Sequence, residues 1–93
     1  MTVMLVDSSR PALEQAVKTL TQLNAAMTVV MQSSPAAAVS YTMYNPVDMI
    51  FSRPGLFTQK QMEQVGRYQP GIQWLPFMEG QDISTYLFPY ITM

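Results

Sequence analysis

The chain has 93 residues, 48% of them hydrophobic and 12% charged, with five basic against six acidic side chains and a net charge of −1. Cysteine and histidine are both absent, which excludes disulfides, thiol catalysis, thiolate or histidine metal sites and any histidine-based triad. No like-charge block is present, so there is no basic footprint for direct contact with nucleic acid or with an anionic membrane surface.

This length is within the range of one domain, and residues 1–93 are read as a single domain without linker or internal repeat. The charged fraction is about half the usual one, too apolar a balance for a disordered tail. It also implies more apolar surface than one small domain hides, which favours a partner. The longest apolar runs stop at four or five residues, far short of a membrane span. The N-terminus lacks the cationic start and long apolar stretch of a signal peptide. A cytoplasmic protein in a reducing compartment is the expectation. The nine methionines are read as core filler rather than as a recognition surface.

Thr2-Val3-Met4-Leu5-Val6 is a continuous apolar run that suits a central strand covered on both faces. Asp7-Ser8-Ser9 ends it with side chains that favour loops and helix caps, and Pro11 fits a first helical turn. Leu13, Ala16, Val17, Leu20 and Leu23 then form an amphipathic stripe, with Asn24 as the stop. Met27-Thr28-Val29-Val30-Met31 is a second strand. Ser34-Pro35 opens a short helix over 36–44 that Asn45-Pro46 must end.

Residues 47–51 form a third strand, and Ser52-Arg53-Pro54-Gly55 a loop in which Pro-Gly is a strong turn signal. Thr58 and Gln61 match a capping box, opening a helix to about Tyr68. Pro70-Gly71 breaks it before a fourth strand, Ile72-Gln73-Trp74-Leu75. The order βαβαβαβ, with short connections, predicts a doubly wound parallel sheet with right-handed crossovers. Beyond Leu75, Glu79-Gly80-Gln81-Asp82 reads as a loop and Tyr86-Leu87-Phe88-Pro89-Tyr90-Ile91 as a fifth strand containing a proline. About ten residues separate these last strands, too few for more than a turn or two of helix, and nothing remains for a helix after the fifth.

Taken together, these segments resemble the response-regulator receiver family across nearly the whole chain. Met4-Leu5-Val6-Asp7-Ser8-Ser9 is similar to that family's first strand and acidic corner. Asn45-Pro46-Val47-Asp48-Met49-Ile50-Phe51 resembles the approach to its third strand. Gly71-Ile72-Gln73-Trp74-Leu75 looks like its fourth strand, and Tyr86-Leu87-Phe88-Pro89-Tyr90 like its last. The resemblance implies a five-stranded flavodoxin-like sheet in the order 2-1-3-4-5, here with the fourth helix shortened and the fifth missing.

The family's phosphorylation machinery is degraded at each position the resemblance assigns. Its Mg²⁺-binding acidic pair is reduced to Asp7 beside Ser8. Its phosphoacceptor aspartate falls on Ser52 or Arg53. Its switch hydroxyl falls near Pro76, and its lysine before proline is Phe88. The switch aromatic survives as Tyr86, with one residue deleted beside it. Mg²⁺ needs several oxygens and phosphoryl transfer needs the metal and a placed nucleophile, so no phosphorylation, metal or cofactor is expected, and no enzyme activity. Arg53 has two readings: it pairs with Asp7 in place of the metal, or it points into solvent from its turn.

Other residues read as structural. Asp48 is a strand-start acid, Glu63 and Arg67 an i,i+4 helix pair worth tenths of a kcal/mol, and Gly66 a site of close packing. Trp74 is core or interface. Gly55, Gly66, Gly71 and Gly80 have the wrong spacing for a phosphate loop. With helices missing, Trp74, Phe77, Tyr86, Phe88 and Tyr90 form an underprotected edge, which predicts a homodimer or docking to another signalling protein or domain. The favoured function is a phosphorylation-independent interaction module in bacterial two-component signal transduction or transcription regulation, the bacterial setting coming from the resemblance. The alternative is a small-molecule-binding flavodoxin-like domain with its ligand at the carboxyl ends of the strands, near Ser8, Ser9 and Ser52.

Overall fold

A computed structural model describes residues 1–23 and 26–77. They form a four-stranded, all-parallel sheet in the order β2-β1-β3-β4 with three crossover helices. The strands are β1 (Thr2–Val6), β2 (Thr28–Gln32), β3 (Met49–Ser52) and β4 (Gln73–Pro76), and the helices are α1 (Arg10–Leu23), α2 (Pro35–Tyr44) and α3 (Gln59–Tyr68). The α/β class and the order of the first four strands agree with the expectation. Asn24 and the expected fifth strand, with Tyr86, Phe88 and Tyr90, lie outside the described residues.

The central strands are apolar on both faces because each face has its own helical cover. Val3, Leu5, Met49 and Phe51 pack with Leu13, Ala16 and Leu20 of α1 on one side. Met4, Val6 and Ile50 pack with Ala38 of α2 and Val65 of α3 on the other. Register follows from this alternation: Val3 faces Met49 and Ile50 faces Trp74 across their ladders. A one-residue slip would exchange the two faces of a strand.

Local chemistry sets the helix starts. Ser34 Oγ accepts the Ala37 N–H at 3.2 Å and Pro35 occupies the first turn. Thr58 and Gln61 close both halves of a capping box, at 3.1 and 2.9 Å. Such a cap contributes about 1 kcal/mol.

Strands β2, β3 and β4 begin one or two residues later than their apolar runs predict. Met27, Val47 and Ile72 are apolar, and the first two are buried, yet none is in a strand. For two of them the reason is Gln69, just past α3. The Val47 N–H donates to Gln69 Oε1 at 3.3 Å, and the Ile72 N–H donates to the Gln69 carbonyl at 3.0 Å. Gln69 Nε2 in turn donates to the carbonyls of Thr42 and Asn45 at 2.9 and 2.8 Å, where α2 ends. One amide thus satisfies otherwise orphaned carbonyls and joins α2, β3 and α3. Asp48 works beside it: its carboxylate accepts the Thr2 N–H at 2.7 Å, and its backbone bonds Thr2 and Gln73.

Replacing the Gln69 side chain strands two helix-end carbonyls and one amide at once. Gln69→Ala is expected to lower unfolding stability by about 1–3 kcal/mol, read from the urea midpoint at unchanged slope. Gln69→Glu, which sets a carboxylate against two carbonyl oxygens, should cost at least as much.

Candidate functional site

The register brings the carboxyl ends of the strands into line, with Val6 beside Gln32 and Ser52, and Ser52 beside Pro76. The chain leaves β1 for the α1 face and β3 for the α3 face. Between these two strand ends the connections diverge, and this topological switch point is where open α/β sheets form a crevice. Asp7 and Arg53 are the first residues beyond β1 and β3, and they meet there.

Asp7 is only 1% exposed. Its backbone N–H donates to the Gln32 carbonyl at 3.2 Å, which ties it to the end of β2. Its Oδ1 accepts the Ser9 N–H at 3.1 Å, a local turn that sets up the start of α1. Arg53 Nη2 donates to Oδ1 and Oδ2, both at 3.3 Å. The Arg53 side chain is 49% exposed against 2% for Asp7, so the cation closes the mouth of a buried anion. Of the two readings of Arg53, the paired one is the geometry present. The contact is one nitrogen straddling two oxygens, longer than the 2.7–2.9 Å of the best charge-assisted bonds. Attraction from one half-exposed partner therefore adds to, and does not replace, the Ser9 bond.

A tight turn aims Arg53. The Leu56 N–H donates to the Arg53 carbonyl at 3.0 Å, with Pro54 second and Gly55 third in the turn. Gly55 has φ +82°, the left-handed conformation that a type II turn needs at its third position. The Pro-Gly signal in the sequence thus positions the guanidinium.

The other expected site residues fall around this pair. Ser8 is exposed, and Ser52 and Pro76 are partly buried at adjacent strand ends. Among the described residues no three His, Cys, Asp or Glu side chains come together. One carboxylate already capped by a guanidinium does not fit Mg²⁺, which wants several oxygens. Trp74 is partly buried and stacks edge-to-face on Phe57, centroids 5.0 Å apart at 77°. Phe77, expected on an open edge, is 5% exposed and packed in the α1-side core, where its backbone N–H extends the ladder to Ser52. Within the chain it offers no surface.

Two clefts flank the pair. One, of about 180 Å³, is lined by Ser52, Arg53, Phe57, Met62, Trp74 and Pro76, among others. The other, of about 270 Å³, lies beside Asp7, Ser8, Arg10, Met31 and Ser33. Ser52 and Ser8, named in the sequence as neighbours of a ligand at the strand ends, line the first and the second cleft respectively; the remaining walls come from segments far apart in the chain and carry no local signal. Arg10, on the second rim, is paired to Glu14 at 3.1 Å.

Comparison with family models, with curated proteins and with solved structures finds no match in any of the three. No helix among the described residues is long and apolar enough to cross a membrane.

Removing Arg53 leaves Asp7 buried with a single amide partner. Arg53→Met is expected to cost about 1–3 kcal/mol, and the Asp7→Asn/Arg53→Met double variant less than the sum of its singles. A denaturation cycle reads the coupling directly; strict additivity would show that the contact is energetically idle.

Proposed function

We propose that this chain is a receiver-like protein-interaction module that accepts no phosphoryl group. The observation that carries this reading is the Arg53 guanidinium seated on the Asp7 carboxylate at the switch point. The 2-1-3-4 strand order supports the receiver-like frame. In that frame the acceptor position falls on Ser52 or Arg53, neither of them a carboxylate. A hard divalent cation approaching Asp7 meets a permanent positive charge. The domain is then held in one state, and its work is contact. The partner is a second copy or another signalling protein or domain, met through Trp74 and the segment carrying Tyr86, Phe88 and Tyr90. Bacterial signal transduction or transcription regulation is the setting the resemblance implies.

A second reading is favoured by the two clefts at the carboxyl ends of the strands, the ordinary ligand position in an open α/β sheet. It makes the chain a small-molecule-binding domain.

Amide NMR of the protein titrated with Mg²⁺ and beryllofluoride tests the first reading. Resonances of Asp7, Ser8 and Ser52 are expected to show no saturable shift; saturation there would sink it. Light scattering on a sizing column is expected to give a dimer or, where the partner is another protein, a monomer that shifts on mixing with it. A thermal-shift ligand screen run in parallel separates the two readings.

A further inference from the structure

We propose that the cleft beside β3 and β4 is a binding site for a small aromatic carboxylate, with Arg53 holding the carboxylate and Phe57, Met62 and Trp74 holding the ring. This rests on the ligand-binding reading of the strand ends and names its ligand class.

Size comes first. The cleft has a volume of about 180 Å³, and an apolar cavity of about 150 Å³ accommodates benzene. One six-membered ring with a short polar head fills it, whereas a dinucleotide does not fit.

The walls come next. Phe57, Met62, Trp74, Leu75 and Pro76 are apolar or aromatic, and among the described residues no acidic side chain lines the cleft. The edge-to-face contact with Phe57 fixes the Trp74 ring, so one wall is preorganised. Met62 is 39% exposed, and its flexible thioether can close over a ring from the other side.

The charge decides the head group. Arg53 lines this cleft with its side chain half exposed. Its bonds to Asp7 use Nη2 alone, so Nη1 and Nε have no partner among the described residues. Asp7 lies behind the guanidinium, 2% exposed, and a ligand entering from the cleft meets the cation first. A single carboxylate can share those donors without releasing Asp7. A phosphate, with about two charges and three acceptor oxygens, is poorly matched by one cation that is already half neutralised. No lysine lines the cleft to complete the set.

Trp74 is the only tryptophan of the chain, and it stands in the cleft wall, so its fluorescence reports occupancy. The whole protein is titrated with benzoate and, separately, with the neutral isostere benzamide. Benzoate is expected to give a saturable change, and benzamide to bind about tenfold more weakly, the loss of one charge-assisted contact. Asp7→Asn/Arg53→Met, checked for a cooperative melt, is expected to bind the two compounds equally. Should that variant fail to fold, the comparison on the unaltered protein still decides. Equal binding of both compounds to the unaltered protein overturns the carboxylate assignment and leaves the ligand reading standing. No saturable change with either overturns both for this cleft.

Discussion

The carboxylate of Asp7 is the constraint around which the carboxyl ends of the strands are arranged. It sits at the end of the central strand with 1% of its surface exposed, and a charge removed from water is tolerated only with hydrogen bonds or an opposite charge around it. Each partner imposes a condition on a different segment. The Ser9 N–H reaches it only if α1 starts where it does. The Gln32 carbonyl is within reach of the Asp7 N–H only with β2 in its present register. Arg53 arrives only because β3 stops at Ser52 and the Pro54-Gly55 turn holds the chain back over the strand ends. The side chain of Asp7 therefore ties the ends of β1 and β3 together, and its backbone N–H adds the end of β2.

The opposite edge of the sheet is held by different chemistry. Gln69 and Asp48 stitch the starts of the strands with amide, carboxylate and backbone hydrogen bonds. The Gln69 amide is neutral, and every one of its named bonds ends on backbone. At the carboxyl edge, by contrast, Arg53 keeps donors without partners among the described residues, next to apolar walls. The division follows from the parallel topology, since all strand ends and all outgoing loops of one kind gather at one edge. Unused bonding capacity collects where the loops differ most.

How much of this was legible in the sequence depends on whether the signal was local. Strand β1 reads correctly because a strand buried on both faces is continuously apolar. The starts of α2 and α3 read correctly because Ser34-Pro35 and Thr58/Gln61 carry their own capping chemistry. The starts of β3 and β4 read early because Val47 and Ile72 give their N–H groups to Gln69, across 22 residues in the first case. No periodicity carries that. Phe77 looks like edge surface because an aromatic residue near an uncovered sheet edge reads as exposed, but one residue past β4 it is buried in the same core cluster as Leu13 and Phe51. The meeting of Asp7 and Arg53 could be anticipated only from topology, which sets β1 beside β3; spacing alone, 46 residues, says nothing.

The Arg53–Asp7 contact also limits how the domain can respond to a ligand held at Arg53. A ligand changes a conformational equilibrium only through a difference in its affinity for the two states. A carboxylate taking Nη1 or Nε leaves the Nη2 contact to Asp7 in place, so it gives the sheet no reason to rearrange. Its effect stays local, on Trp74, Met62 and the turn at Gly55. Trp74 belongs both to the cleft wall and to the surface proposed for the partner. Where both sites operate, ligand and partner are therefore coupled through one indole ring rather than through a change of fold. Linkage makes that coupling reciprocal: a ligand that weakens the partner's grip on Trp74 is itself weakened, by the same factor, when the partner is bound.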